Sequence, residues 1–401
     1  MTLPAYVQRG GELVYQVPYA ARNATQFIFL LRADAARLAA TFARDFGTPS
    51  GGAVEVRPAL GLVILAASFI PAIKSAAPPD SELGGGISEL EVAFLTVGID
   101  VRRRRPVVCV PYLFVDSGMA VAAGRELFGL PKQHGFISIE GAEVPARITV
   151  DALSIERFDP AVPFTSHRVI DIAPTGAVPG PLAIWKTFAE AATGLAGALG
   201  QAWRVAPPPA APSGGFRALL DTLAGAFDQI ADEGRVLFAT LEDFITGTFP
   251  IIGLKQFRDV AQSDRACYQA ITDAPMKIVD FHQGGLLGDY VVNLGDLASE
   301  PIRQDLGLPP GPIRPLLSAW LRYDFRLDAG VELWNAARSS DEKGPSAEVR
   351  RPSTARSRWA SRGRRRGERI RKSWRARASR REYASRAAIG RRLAAGPFSS
   401  L

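Results

Sequence analysis

Apolar and polar positions alternate, or gather into short apolar runs, through most of the first 180 residues. "ELVYQVPY", "TQFIFLLRA", "AVEVRPALGLVILAASFI", "ELEVAFLTVGIDV" and "RPVVCVPYLFV" are rich in Val, Ile and Phe, the composition and period of β-strands. "ISIEGAEVPARITVDALSIERF" continues the pattern, and Gly and Pro clusters such as "TPSGG" and "AAPPDSELGGG" punctuate it. Many short strands need their edges paired, so the pattern predicts an antiparallel sheet that curls or closes into a barrel-like form.

The period then changes. Trp185, Phe188, Ala192, Leu195, Leu199 and Trp203 fall at helical spacing, as do Phe216, Leu219, Leu220, Leu223, Phe227 and Ile230. This stretch predicts a helical hairpin that covers a sheet face or a subunit contact, and a homo-oligomer is expected. Strand character returns with "MKIVDFHQ", "DYVVNLG" and "LRYDFRLDAGVELW". The fold class is therefore α+β and mainly antiparallel β. One discontinuous β unit, 1–182 and 248–340, is interrupted by a helical insertion at 183–247. Within it, 10–180 and 247–335 are expected to make one closed antiparallel sheet.

Charge separates a third region. The whole chain of 401 residues carries 48 Lys plus Arg against 40 Asp plus Glu. From Gly344 to Leu401 there are 18 Arg and Lys against 3 Glu, leaving 30 basic and 37 acidic residues in positions 1–343. The segment 341–401 reads as an Arg-rich disordered tail, too poor in apolar side chains to offset the entropy of ordering. Trp359, Trp374 and Tyr383 among its arginines are the only hint of nucleic-acid binding, and that role is not expected. Two cysteines, Cys109 and Cys267, cannot build a disulfide framework and suit a reducing interior. There is no basic-then-apolar leader and no run of about 18 apolar residues, so a cytoplasmic chain with no membrane span is expected.

Candidate chemistry lies in "GRELFGLPKQHGFISIE", Gly124–Glu140. Lys132 follows Pro131, whose ring restricts the backbone, inside an apolar segment with Phe128 and Leu130. A free lysine has a pKa near ~10.4, and burial can lower it by up to ~3–5 units, giving a neutral amine that attacks carbonyl carbon. The three histidines, His134, His167 and His282, show no metal-ligand spacing, so no metal and no cofactor are expected. "RRRR" at Arg102–Arg105 precedes Pro106 and reads as a solvated hairpin end. "LGGGISE" lacks the strand–loop–helix frame of a nucleotide loop.

The segment "GRELFGLPK" resembles the signature of the acetoacetate decarboxylase superfamily: Gly-Arg-Glu, a few residues, an apolar residue, then Pro-Lys. The resemblance implies that Lys132 forms a Schiff base with a small keto acid. "LEVAFLTVGIDV" is similar to a family strand bearing a pocket glutamate, which falls on Glu91. "LKQFRD" and "ACYQAI" are similar to parts of larger members, and "RYDFRLDAGVELW" resembles the family's closing strand. Where well-studied decarboxylases carry a second lysine this chain has Gln133, and the stretch "LVILAASF" holds no acid where they have another glutamate. Arg22 lies near the family's carboxylate-binding arginine, with a shift. The resemblance implies Lys132 and Glu91 as catalytic residues, with Gln133 and Arg22 binding substrate and Arg125 and Glu126 bracing the turn. Decarboxylase, aldolase–dehydratase and a non-catalytic small-molecule-binding barrel all stay open.

Overall fold

The computed structural model describes residues 5–7, 15–141, 144–176, 183–187, 190 and 248–339. All lie within the unit Met1–Lys343. Most of the expected helical insertion and the Arg-rich tail fall outside the described residues.

Fifteen strands account for most of the described chain. In order they are β1 Tyr19–Arg32, β2 Val56–Pro58, β3 Leu62–Ser75, β4 Ile87–Asp100, β5 Arg105–Val115 and β6 Lys132–His134. Then come β7 Phe136–Glu140, β8 Arg147–Ser154, β9 Thr165–Pro174, β10 Ala183–Trp185, β11 Thr248–Arg258 and β12 Ala266–Leu286. The last are β13 Tyr290–Leu294, β14 Leu317–Leu327 and β15 Val331–Asn335. Among the described residues the first strand starts at Tyr19, just after Pro18, which has no N–H to give a ladder; the start of "ELVYQVPY" lies outside the described residues.

The main sheet runs β2-β4-β3-β1-β14-β12-β11-β5-β6, and an additional β4–β5 pairing returns the path to itself. Seven strands, β4, β3, β1, β14, β12, β11 and β5, thus make a hydrogen-bonded ring. The expectation of one antiparallel sheet needs two corrections. The ring is mixed, since β5 runs parallel to both β11 and β6. Strands β7, β8, β9 and β13 also form a separate four-stranded sheet. Sequence alternation reports which faces are buried but says nothing about strand direction, so neither feature is legible from it.

The two sheets share the largest core. Phe27, Phe29 and Leu31 of β1, Val92 and Phe94 of β4 and Phe114 of β5 meet Ile148, Val150, Ile170 and Ile172 of the second sheet. Because side chains alternate along a strand, the intervening residues of β1, β3 and β4 turn toward the inside of the ring. Those residues build the site.

Trp185, read as helical, lies instead in β10 and is buried. Ala183–Trp185 pairs with Gly284–Leu286, and a Cβ at Gly285 would come within 2.2 Å of Ala183 O. The glycine pair lets the short strand approach that closely. A helix absent from the sequence reading, α1 Ala35–Phe42, begins where the Asp34 carboxylate accepts from the N–H groups of Ala36 and Arg37. "RRRR" does close a hairpin, although Arg103 binds buried Asp100 and Arg105 binds Asp273 rather than standing free in water.

Candidate active site

Ser117 caps a short helix, α2 Gly118–Ala123, which continues as a π-helical turn over Gly124–Phe128. Gly129 ends the turn at φ 67°, a backbone that favours glycine. Here β11 crosses so closely that a Cβ on Gly253 would meet Phe128 O at 2.1 Å. The chain then enters β6, where Lys132 lies opposite Leu113 of β5.

This path drives the Lys132 side chain across the face of Gly124, where an added Cβ would lie 2.5 Å from Lys132 Cδ. The glycine of "GRE" is therefore a passage for the lysine stem. The stem ends at two carboxylates of β4. Lys132 Nζ is 2.5 Å from Glu89 Oε1 and 3.1 Å from Glu91 Oε2. The two acids are an i, i+2 pair and so share the inner face of the ring. Lys132 and Glu89 are both buried, while Glu91 keeps 23% of its side-chain exposure. Beside them is a cavity of about 50 Å³ walled by Tyr15, Tyr19, Phe128 and Leu130 among others.

Two carboxylates around one ammonium leave a net negative charge in a buried place. Burial raises the Glu89 pKa to about 7, helped by Glu91 and opposed by Lys132. For Lys132, burial alone works toward deprotonation, as expected from sequence, but Glu91 and Glu89 together outweigh it and hold the lysine above its ordinary value. In the free site the lysine is an ammonium. Its Nζ already donates a hydrogen bond to Glu89.

The other expected residues sit elsewhere. Gln133, next to Lys132 on a strand, points to the opposite side and its Nε2 donates to Glu300 Oε2 at 3.0 Å. Arg22 is exposed beside Asp324 and does not line the cavity. Glu126 accepts a hydrogen bond from Tyr6, and no Arg125–Glu126 ion pair forms among the described residues; adjacent residues of a helical turn diverge. Sequence reading singled out Glu91 and missed Glu89 as a site residue, although the E-x-E spacing carried the signal. The cavity tyrosines, Tyr15 and Tyr19, had no such signal. Tyr19 is held by donating to Tyr15 O at 2.7 Å.

One group among the described residues has metal-ligand geometry that sequence spacing did not suggest. Donor atoms of Asp280, His282 and Asp324 lie within 4.8 Å of one another. Asp324 comes from β14, directly across from Asp280, which explains why spacing along the chain missed it. His282 Nε2 is 2.7 Å from Asp324 Oδ1, and its Nδ1 is 3.6 Å from Asp280 Oδ2.

Residues 76–158 match the acetoacetate decarboxylase family model, a stretch that contains Glu89, Glu91, the glycine passage and Lys132. Over this stretch the chain is similar to the acetoacetate decarboxylases. Among solved structures, it is similar to the acetoacetate decarboxylase of Legionella pneumophila, at 13% identity and a TM-score of 0.49, covering 84% of this chain and 94% of that one. It is also similar to the enduracididine biosynthesis enzyme MppR complexed with pyruvate, at 13% identity and a TM-score of 0.46, covering 81% and 93%. An acetoacetate decarboxylase-like enzyme from Sphingomonas wittichii RW1 is 14% identical with a TM-score of 0.45, covering 79% and 92%. No curated protein sequence matches the chain. The matched stretch supplies the lysine and both acids, whereas β1, β3, β11, β12 and β14 supply the rest of the ring.

Proposed function

We propose that the protein is a Schiff-base-forming lyase that acts on a small keto acid through Lys132. The observation that carries this reading is the buried Lys132 ammonium, hydrogen-bonded to Glu89 and facing an apolar cavity. Proton transfer from Nζ to Glu89 frees the nitrogen lone pair. The amine adds to the substrate carbonyl carbon, and the carbonyl oxygen takes up a proton. Loss of water then leaves a cationic imine. When a carboxylate is lost from the neighbouring carbon, the C–C bond pair flows into that imine and gives an enamine. Protonation at carbon and hydrolysis release the ketone and restore the amine. Glu89, with a pKa near neutrality, suits repeated proton transfer. Glu91, 3.1 Å from the same nitrogen, holds it toward the substrate. An aldolase–dehydratase shares every step up to the imine.

The reading places the protein in the cytoplasm as a homo-oligomer. It fits two unpaired cysteines and described helices that are all too short or too polar to cross a membrane. A second reading, a non-catalytic binding module, is favoured by the raised Lys132 pKa, since a site that only binds has no need of a neutral amine.

Borohydride reduction in the presence of pyruvate or acetoacetate, followed by peptide mass mapping, tests the proposal. The expected result is a label on Lys132 that is absent from Lys132→Arg, because a guanidinium stays protonated. If no lysine is labelled, or if Lys255 is labelled in its place, the enzyme reading fails. Keto-acid binding without labelling leaves the binding module.

A further inference from the structure

The inner face of the ring does not turn wholly apolar beyond Glu91. On β3, Ser68 is the direct cross-strand partner of Glu91. On β1, Gln26 is in turn the partner of Ser68. Cross-strand partners point to the same side, and Gln26 Nε2 donates to Ser68 Oγ at 3.1 Å. Three polar side chains on three neighbouring strands thus form one row that starts at the lysine. Strands lie about 4.8 Å apart, so the row runs roughly 10 Å from Glu91.

The row is polar in mostly apolar surroundings, with Gln26 half-buried and still within reach of water. Ser68 is buried, and the neighbouring inward residues are Ala66 and Ile70 on β3, Ala24 on β1 and Tyr323 on β14. Among the described residues, the Gln26 and Ser68 side chains hydrogen-bond only to each other. A carboxamide offers two N–H donors and an acceptor oxygen, and a hydroxyl offers one donor. One contact therefore leaves an N–H, a carbonyl oxygen and an O–H for a further partner.

We propose that Gln26 and Ser68 form a specificity subsite of the Lys132 site. It takes an uncharged hydrogen-bonding group, a hydroxyl or a carboxamide, carried on the substrate chain about three carbons beyond the carbonyl. This rests on the imine-forming reading and adds the substrate class. With the carbonyl carbon bonded to Nζ, the substrate chain runs along the row, and its polar group exchanges hydrogen bonds with the Gln26 amide and the Ser68 hydroxyl. A purely apolar chain strips water from those groups and returns nothing, so the site discriminates against it.

The test compares 5-hydroxy-2-oxopentanoate with 2-oxopentanoate, by the concentration of each that gives half-maximal borohydride labelling of Lys132. The intact chain is expected to favour the hydroxylated acid by at least about tenfold. In Gln26→Leu the ratio falls to within about twofold. Ser68→Ala, a smaller change, gives the same direction if the leucine variant fails to fold. A ratio compares two ligands on one sample, so loss of folded material does not move it. A ratio below two in the intact chain, or one unchanged in both variants, overturns the subsite while leaving the imine reading intact. Failure of both acids to label the intact chain removes the imine reading, and the subsite with it.

Discussion

Gly124 and Lys132 are in direct contact, the bare α-carbon of one forming the floor over which the other's side chain passes. A methyl group at position 124 would overlap the lysine stem at Cγ, Cδ and Cε. The stem is pinned at its far end by two carboxylates and cannot swing aside freely. Gly124→Ala is expected to slow borohydride trapping by roughly ten- to a hundredfold, the scale on which small misplacements of reacting groups act. The same overlap should also lower its thermal midpoint, as overpacking does. Unchanged trapping would show that the lysine has another route to the cavity.

Lys132→Met keeps the stem and removes the charge, leaving Glu89 and Glu91 facing each other without a cation. Breaking a buried ion cluster from one side costs about 3–5 kcal/mol. The cost is expected in full near pH 8. It shrinks toward pH 5, because protonation of either acid removes the repulsion. Chemical denaturation at the two pH values measures it; an equal loss at both would mean that packing, not charge, dominates.

Glu89 sets a pH dependence with a definite sign. Its folded-state pKa is raised to about 7 from an ordinary carboxyl value of 4.5. The native state therefore holds an extra proton between those values, and stability falls as pH rises through that window. Glu89→Gln should flatten this slope. Trapping runs the other way: the carboxylate must be ionised to accept the lysine's proton, so the rate rises through about pH 7. In the glutamine variant trapping should fall by at least ~100-fold and lose that rise. A variant that retains the rise would shift the proton-accepting role to Glu91.

Gln133→Lys places an ammonium where well-studied decarboxylases carry their second lysine. Here that side chain leaves the strand on the opposite side from Lys132 and meets Glu300. The trapping rate should change less than tenfold, and its pH profile should keep its midpoint. A midpoint lowered by a unit or more would mean that the new charge reaches Lys132 through space.

The strands of this protein were legible because alternation survives in half-buried β-structure, and Lys132 was legible because a nine-residue signature surrounds it. Its protonation state was not, because the Glu89 side chain lies 43 positions away and meets the lysine across β5. Burial was visible in "FGLPK"; the two acids that outweigh it become neighbours only when β4 pairs with β5. Gln133 shows the converse. Adjacency in sequence suggested a shared site, and strand pleating sends the two side chains apart. Arg22 failed for a third reason: Asn23, at φ 53°, and the bulge beside it turn this part of β1 toward Asp324.

Closure of the ring depends on β11, which touches β5 through only two residue pairs, Ile251 with Val108 and Ile252 with Cys109. The lysine and both acids have been synthesised by residue 132, while β11, β12 and β14 extend to Leu327. At 5–20 residues per second, the interval is on the order of ten seconds or more. Through that time the nascent chain carries a charged cluster on an open sheet, with the long edges of β1 and β5 unpaired. The C-terminal strands thus act as the protein's own shield during synthesis, and a stalled message would release a product poised for edge-to-edge association.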